Sequence, residues 1–271
     1  MEKRKIGAAY YLNTKPLVHG FINDQNLKSK IDIIFDIPAE GEVRLRNNTI
    51  DFALIPSIEF ARGYQIYELI PSGCIASDGE VRSVLLYFNK DLKDIRTIAI
   101  DTSSRTSVAL LKIIMVEKFN IHPEYIPMKP DIEEMLSACD AALLIGDNAL
   151  KNFSNYPFLD LGDEWMDFTG LPFTYAVWAG RRDKVLDSDL ELLEKSRKIG
   201  VENIAKISEE EFKITRIHSK DFYQDYLTDF IKFELTEERY KGMVEYFHLA
   251  FMHGLIPDIP EIHRFGDKKE A

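Results

Sequence analysis

Residues 97–114 read TIAIDTSSRTSVALLKII, an apolar strand-like run that passes through hydroxyl residues into a helical segment. Five of the six positions from Thr102 to Ser107 carry a hydroxyl group, and the interruption is Arg105. A strand that turns directly into a helix is the building unit of folds with parallel sheets. The stretch therefore predicts an α/β protein, and it places polar groups at the carboxyl end of a strand, where ligands of such sheets bind.

The same stretch predicts an anion-binding loop. The first N–H groups of a helix have no partner within it, and the helix dipole favours negative charge there. Phosphate loops of the G-x-x-x-x-G-K-[ST] or G-x-G-x-x-G type need glycine, and this stretch has none. We expect a carboxylate held by Ser104, Thr106 and Ser107, although a hydroxyl-rich helix cap without a ligand would give the same pattern.

Strand and helix signals alternate on both sides of this stretch. The strand-like runs before it are KIGAAYYL, IDIIFDI, IDFALIPS and VRSVLLYFN, and those after it are EYIPM, AALLIGD and FTYAVWAG. Helices are predicted over 105–119 and 131–138, and most of the chain after FTYAVWAG is predicted to be helical. The two series, 1–85 and 97–147, indicate two separate sheets with parallel strands.

These two series predict a two-lobed α/β protein whose second lobe is inserted into the first. VRSVLLYFN and FTYAVWAG bracket the second series, so we expect them to be the strands that cross between the lobes. The first lobe would comprise residues 1–86 and 177–271, and the second residues 87–176. A ligand site is then expected in the cleft between the lobes.

Composition and charge argue against several classes of function. The chain has 271 residues, a net charge of −11 and no block of lysine and arginine that forms a stripe, which disfavours nucleic acid and an anionic membrane surface as partners. We see no signal-peptide pattern and no span of eighteen apolar residues, so we expect a cytoplasmic protein. Cys74, Cys139 and the six histidines show no metal-ligand spacing, and no metal is expected.

The carboxyl ends of the predicted strands supply the candidate site residues. They are mostly neutral hydrogen-bonding groups, and they are Asn13, Thr14, Ser57, Ser83, Ser104, Thr106, Ser107, Gly146 and Asp147. Such a set suits a small polar anion, including one with two carboxylates. Structural roles remain open as alternatives: Asn13 and Thr14 could cap the first helix, Asp147 could cap a later one, and Arg82 could form a salt bridge.

Six stretches of the chain occur in an order typical of one family. They are YLNTKPL, IPSIEFARG, SDGEVRSVLL, SSRTSVALL, ALLIGDNAL and LGDEWMDFTGLPFTYAVWA. Together they resemble the chorismate dehydratases of the futalosine route to menaquinone, closely over residues 5–182 and loosely beyond. The resemblance implies the two-lobed fold of periplasmic solute-binding proteins (type II). It also implies a carbon–oxygen lyase that converts chorismate to 3-[(1-carboxyvinyl)oxy]benzoate.

By position, the resemblance implies that Asn13 of YLNTKPL lies at the reacting ring. It also implies that Ser83, Thr106 and Ser107 hold substrate oxygens, so Asn13 and Ser83 become the predicted catalytic residues. The chain departs from the family's pattern at Arg82, where a small residue, often glycine, is expected. Two other readings are kept, the 1,4-dihydroxy-6-naphthoate synthase of the same pathway and a protein that binds a small anion without catalysis.

The reaction that the resemblance implies suits a site without charged side chains. Removal of the proton at ring carbon C3 spreads charge into the ring carboxylate, and each hydrogen-bond donor aimed there is worth about 3 kcal/mol. Loss of the C4 hydroxyl makes the ring aromatic, so no cofactor is expected. We hypothesise that the substrate's own enolpyruvyl carboxylate takes the proton, with His19, Glu59 or Asp147 as the protein alternatives.

Overall fold

The computed structural model describes residues 3–182 and 184–267. The strands are β1 (Arg4–Ala9), β2 (Ile31–Asp36), β3 (Phe52–Pro56), β4 (Tyr67–Ser77), β5 (Val84–Phe88), β6 (Thr97–Asp101), β7 (Glu124–Met128), β8 (Ala141–Ile145), β9 (Phe158–Asp160) and β10 (Phe173–Arg181). All eight strand-like runs of the sequence contain a strand, so these predictions are confirmed. Strands β4 and β9 were not predicted.

The helices lie between and after these strands. They are α1 (Lys15–Asn23), α2 (Gln25–Lys28), α3 (Pro38–Arg46), α4 (Ser57–Arg62), α5 (Arg105–Glu117), α6 (Ile132–Ala138), α7 (Gly146–Lys151), α8 (Leu161–Thr169), α9 (Asp187–Glu202), α10 (Ile204–Thr215), α11 (Lys220–Asp225) and α12 (Glu237–Met252). A short turn over Leu12–Thr14 precedes α1, and a wide helical turn over Tyr226–Phe230 follows α11. No helix in the described ranges is long and apolar enough to cross a membrane.

Two five-stranded sheets form the two lobes. The first has the order β2-β1-β3-β10-β4 and the second the order β7-β6-β8-β5-β9. In each sheet three neighbouring strands are parallel, and the fourth strand, β10 or β5, pairs antiparallel with both of its neighbours. The second sheet lies between β4 and β10 in the sequence. The predicted two-lobed α/β architecture with an inserted lobe is therefore confirmed.

The prediction that VRSVLLYFN and FTYAVWAG cross between the lobes is wrong. Among the described residues, β5 pairs within the second sheet and β10 within the first, because each strand satisfies its backbone groups through its two neighbours in a single sheet. The chain crosses instead in the short segments 78–83 and 170–172, which contain no strand. We propose these segments as the lobe borders, a few residues before the borders at 86 and 176 expected from the sequence.

The parallel strands place their carboxyl ends along one edge of each sheet, and these edges face each other. The carboxyl ends of β1 and β3 lead into the Leu12–Thr14 turn and α4, and those of β6 and β8 lead into α5 and α7. Apolar residues of both lobes and of the C-terminal helices form one large core cluster. The loops after these four strands therefore meet in the cleft between the lobes.

Candidate active site

A cavity lies where these loops meet, with an empty volume of about 590 Å³ that is partly open to solvent. The lining residues are Ala9, Tyr11, Asn13, Thr14, Leu54, Pro56, Ile75, Val81, Ser83, Val84, Ser104, Ser107, Ile145, Gly146, Tyr175 and Ala176. Within residues 3–182 and 184–267, each lining side chain is uncharged. Six of the nine predicted site residues lie on this wall: Asn13, Thr14, Ser83, Ser104, Ser107 and Gly146.

Asn13, in the first lobe, and Ser83, directly before β5 of the second, are joined by a tyrosine that was not predicted as a site residue. The Nδ2 atom of Asn13 donates to Oη of Tyr226 over 3.1 Å, and that hydroxyl donates to Oγ of Ser83 over 2.9 Å. Ser83 and Tyr226 are buried. Two residues predicted from separate motifs therefore belong to one hydrogen-bonded chain at the cavity wall.

The hydroxyl loop before α5 forms a second part of the wall. Ser104 is the N-cap of this helix, since its Oγ accepts a hydrogen bond from the Ser107 amide over 3.3 Å. The Oγ atoms of Ser104 and Ser107 lie 2.9 Å apart. The capping role and the cavity position coexist here, because both side chains line the cavity at the positive end of the α5 dipole. This arrangement suits a carboxylate.

Ser57, Thr106 and Asp147 contact the opposite lobe. Thr106 Oγ1 lies 3.5 Å from Oγ of Ser57 and accepts from the Ile58 amide over 3.3 Å. Oδ1 of Asp147 accepts from the Leu12 amide over 3.0 Å. These three residues do not appear in the cavity lining. In this arrangement they fasten the two lobes together and hold the loop that carries Asn13.

Arg82 adopts the backbone conformation that explains why a glycine is expected there. Its φ is 60°, in the left-handed region where glycine is favoured. The guanidinium group lies 3.6 Å from the ring centre of Phe230 and pairs with Glu80 over 2.9 Å. The side chain is therefore held by an aromatic ring and a carboxylate and does not line the cavity. The salt-bridge alternative for Arg82 is confirmed.

Gly146 is a position where the cavity wall requires glycine. Its φ is +57°, and a Cβ added there would lie 3.1 Å from Cδ1 of Tyr11, which also lines the cavity. We expect Gly146→Ala to destabilise the fold by about 1–2 kcal/mol because the left-handed conformation disfavours a side chain. We also expect a higher KM because the Tyr11 ring must move. Thermal unfolding and steady-state kinetics would test both effects.

Gly41→Ala is the matched control for this prediction. Gly41 lies within α3, and a Cβ there would meet no atom within 4 Å. We expect this variant to be as stable as the parent protein or slightly more stable. Equal melting temperatures for the two variants would contradict the role assigned to Gly146.

Asp147 is a titratable residue at a contact between the lobes. Desolvation of the carboxyl group raises its pKa to about 6, although much of the residue is exposed. A raised pKa means that the folded protein favours the protonated form. The resulting stabilisation is complete below the ordinary pKa near 3.8 and is lost as the pH rises through about 6.

We therefore expect Asp147→Asn to show a pH-dependent difference from the parent protein. Asparagine keeps an oxygen that can accept from the Leu12 amide but does not titrate. The melting temperature of the variant relative to the parent should rise between pH 4 and pH 7 and then stay level. Melting curves at matched ionic strength measure it, and a difference that is constant over this range would contradict the assignment.

Asp160 is buried and holds the chain segment that precedes Ser83. Its carboxylate accepts hydrogen bonds from the amides of Val81 over 3.0 Å, Arg82 over 2.6 Å and Gly162 over 2.9 Å. The first two lie in the crossing segment directly before Ser83. Asp160 also caps α8, which a local sequence pattern can indicate. Such a pattern does not reveal the hydrogen bonds of Asp160 to the distant Val81 and Arg82.

The described part of the chain holds no group of three or more His, Cys, Asp or Glu side chains placed to bind a metal ion. Cys74 and Cys139 are both buried, as expected for residues that pack as small hydrophobic side chains. Burial raises the pKa of the Cys74 thiol to about 12, so it stays protonated at neutral pH. Neither cysteine lines the cavity.

Comparison with known proteins identifies relatives over nearly the whole chain. The family model described as "Menaquinone biosynthesis" matches residues 4–252. A chorismate dehydratase from Thermus thermophilus is 29% identical over 257 residues, which are 88% of this chain and 92% of that protein. The match therefore includes both lobes and all the cavity-lining residues.

Solved structures show the same fold at low sequence identity. An Archaeoglobus fulgidus protein has a TM-score of 0.76 at 20% identity, covering 94% of this chain and 98% of its own. The periplasmic aliphatic sulphonate binding protein of Escherichia coli has a TM-score of 0.71 at 13% identity, covering 100% and 96%. The fold is thus of the periplasmic-binding-protein type, which confirms the fold that the sequence resemblance implied.

Proposed function

The chain belongs to the menaquinone biosynthesis family, and from this premise we propose that it is a chorismate dehydratase. The Thermus thermophilus relative is a chorismate dehydratase, and a two-lobed fold with a cleft suits a small-molecule substrate. The observation that carries the proposal is the cavity between the lobes, which offers hydroxyl and amide groups on largely apolar walls. Chorismate has the matching chemistry, an apolar ring with two carboxylates and one hydroxyl group. The cytoplasmic location is part of this proposal.

The oxygen-bearing groups of chorismate would meet polar side chains on two different walls. Ser104 and Ser107, at the start of α5, are suited to one carboxylate, and Ser83 and Asn13 lie on the wall formed by β5 and the Leu12–Thr14 turn. Apolar side chains such as Leu54, which also lines the cavity, would contact the ring. Binding a dianion with neutral donors is feasible because hydrogen bonds to charged acceptors are about twice as strong as neutral ones.

The elimination balances without a further reactant. A base takes the proton from C3, and the electron pair of that C–H bond spreads through the diene into the ring carboxylate. The pair then forms the C3–C4 double bond as the C4–O bond breaks, and the departing hydroxide gains a proton to become water. Donors that face the ring carboxylate stabilise the charge as it develops, each by about 3 kcal/mol.

The positions of the protein's own bases support the substrate carboxylate as the proton acceptor. Glu59 is buried between two guanidinium groups, with Arg62 at 2.5 Å and Arg105 at 2.9 Å. Asp147 is bonded to the Leu12 amide, and His19 lies in α1 beside Asn23, outside the cavity lining. The enolpyruvyl carboxylate, by contrast, is tethered to C3 itself through the ether oxygen and one vinyl carbon.

A direct assay tests the proposal. Purified protein is mixed with chorismate without added metal or nucleotide, and the product is followed by ultraviolet absorbance and mass. We expect an aromatic dicarboxylate lighter than chorismate by one water molecule, and much slower but measurable formation of it with Ser83→Ala at the same concentration. Chorismate that is bound but returned unchanged would indicate a binding protein. Chorismate that neither binds nor reacts would favour the 1,4-dihydroxy-6-naphthoate synthase reading.

A further inference from the structure

Tyr226 occupies a place behind the cavity wall that links both predicted catalytic residues. It begins the wide helical turn after α11 and is fully buried. It is separated from Asn13 by 213 positions and from Ser83 by 143 positions in the chain. Its hydroxyl group therefore joins the loop after β1 of the first lobe to the start of β5 in the second.

The directions of these hydrogen bonds decide where the remaining hydrogens can point. A phenol has one hydrogen, and Tyr226 gives it to Oγ of Ser83. Ser83 accepts in this bond and so keeps its own hydrogen for another acceptor, and Ser83 lines the cavity. Ser83 is thus arranged as a donor toward a bound oxygen.

The same hydroxyl group fixes the amide of Asn13. One N–H of the Asn13 amide is bound to Oη of Tyr226, which sets the rotation of the planar amide group. The Oδ1 atom lies in the same plane, on the opposite side of Cγ, and remains an acceptor; Asn13 also lines the cavity. A donor and an acceptor are in this way presented together at one wall.

Tyr226 is suited to hold this arrangement without exchanging its proton. Burial raises the pKa of its phenol above the ordinary value of 10.0, so the group stays neutral at neutral pH. A buried phenolate next to Ser83 would be costly. The phenol hydrogen is therefore available for the bond to Ser83.

We propose that Tyr226 is a positioning residue for the dehydration, which directs the Ser83 hydrogen and the Asn13 amide oxygen at the C4 hydroxyl group of chorismate. The proposal rests on the proposed function of this cavity. Tyr226 does not touch the substrate. It acts through Ser83 and Asn13, and without its hydroxyl group the Ser83 hydrogen and the Asn13 amide are free to turn away from the reacting atoms.

The test compares two tyrosine-to-phenylalanine variants. Tyr226→Phe removes only the oxygen, and Tyr87→Phe is the matched control, since Tyr87 is equally buried and its hydroxyl donates to the Ala149 carbonyl over 2.9 Å. We expect Tyr226→Phe to lower kcat about tenfold or more with KM changed less than threefold. Tyr87→Phe should keep kcat within twofold at a similar loss in melting temperature.

A double-variant cycle with Ser83→Ala separates positioning from a structural effect. If Tyr226 acts through Ser83, Tyr226→Phe should change kcat much less in the Ser83→Ala background than in the parent protein. Additive losses, or a kcat for Tyr226→Phe equal to that of Tyr87→Phe, would overturn the inference while leaving the dehydratase function intact. A parent protein that fails to convert chorismate would overturn both.

Discussion

Asn13→Ala is expected to lower kcat for chorismate about 100-fold or more, with a smaller change in KM. Asn13 lines the cavity and is held by Tyr226, so its amide is preorganised before the substrate arrives. Groups fixed in this way stabilise the transition state more than the bound substrate, because they need not reorient as charge develops. An amide cannot serve as a base at neutral pH, so the loss reflects orientation of the ring and departure of the hydroxyl group.

The measurement is steady-state kinetics with the melting temperature determined in parallel. Asn152→Ala is the matched control, since Asn152 also makes one side-chain hydrogen bond, to the Asn148 carbonyl over 2.9 Å, and lies outside the cavity lining. The control should turn over chorismate at nearly the parent rate. Near-full turnover by Asn13→Ala would remove Asn13 from the proposed mechanism and return attention to a protein base.

Local chemistry made the βα units predictable. The apolar run 97–101 and the serine cap of α5 are set by neighbouring residues, so strand β6 and the helix appear close to their predicted bounds. Strand β4 was missed because Pro71 and Gly73 interrupt its sequence and disfavour an internal strand. It forms because β10 provides a partner ladder with two register shifts that accommodate the irregularity. That partner lies about a hundred residues away and leaves no local signal.

The candidate site could also be predicted only as far as local sequence signals allow. The rule that ligands meet the carboxyl ends of parallel strands identified loops that do gather at the cleft. It could not decide which side chain of a loop faces the cavity and which faces the other lobe, so Ser57 and Thr106 were grouped with Ser104 and Ser107. Tyr226 was not found because an aromatic residue in a helical segment most often belongs to the core. Its role depends on two contacts across the whole chain.

Several hydrogen bonds and an ion pair join the two lobes across the cleft. Thr106 is bonded to the Ile58 amide, and its carbonyl accepts from Oη of Tyr246 over 3.2 Å. The Leu12 amide reaches Asp147, and Arg105 pairs with the buried Glu59. Donors held by such contacts need little reorientation as charge develops, which favours catalysis.

Asp160→Ala is expected to be the most destabilising of the changes considered, by about 3–5 kcal/mol. The Asp160 carboxylate is buried and satisfies the amides of Val81, Arg82 and Gly162. Alanine leaves these groups without an acceptor, and each buried unpaired amide costs about 1–3 kcal/mol. Activity should fall as well, because the segment that Asp160 anchors leads directly into Ser83.

Asp131→Ala separates this effect from the loss of an ordinary helix cap. Asp131 caps α6 through the amides of Glu133 and Glu134 but is exposed, so water can replace it and the cost should be about 1 kcal/mol. Chemical denaturation of both variants gives the comparison, with Asp160→Asn expected between Asp160→Ala and the parent because it keeps one acceptor oxygen. If Asp160→Ala cost no more than Asp131→Ala, the crossing segment 78–83 would be held by its own contacts, and Ser83 would not depend on a carboxylate from the second lobe.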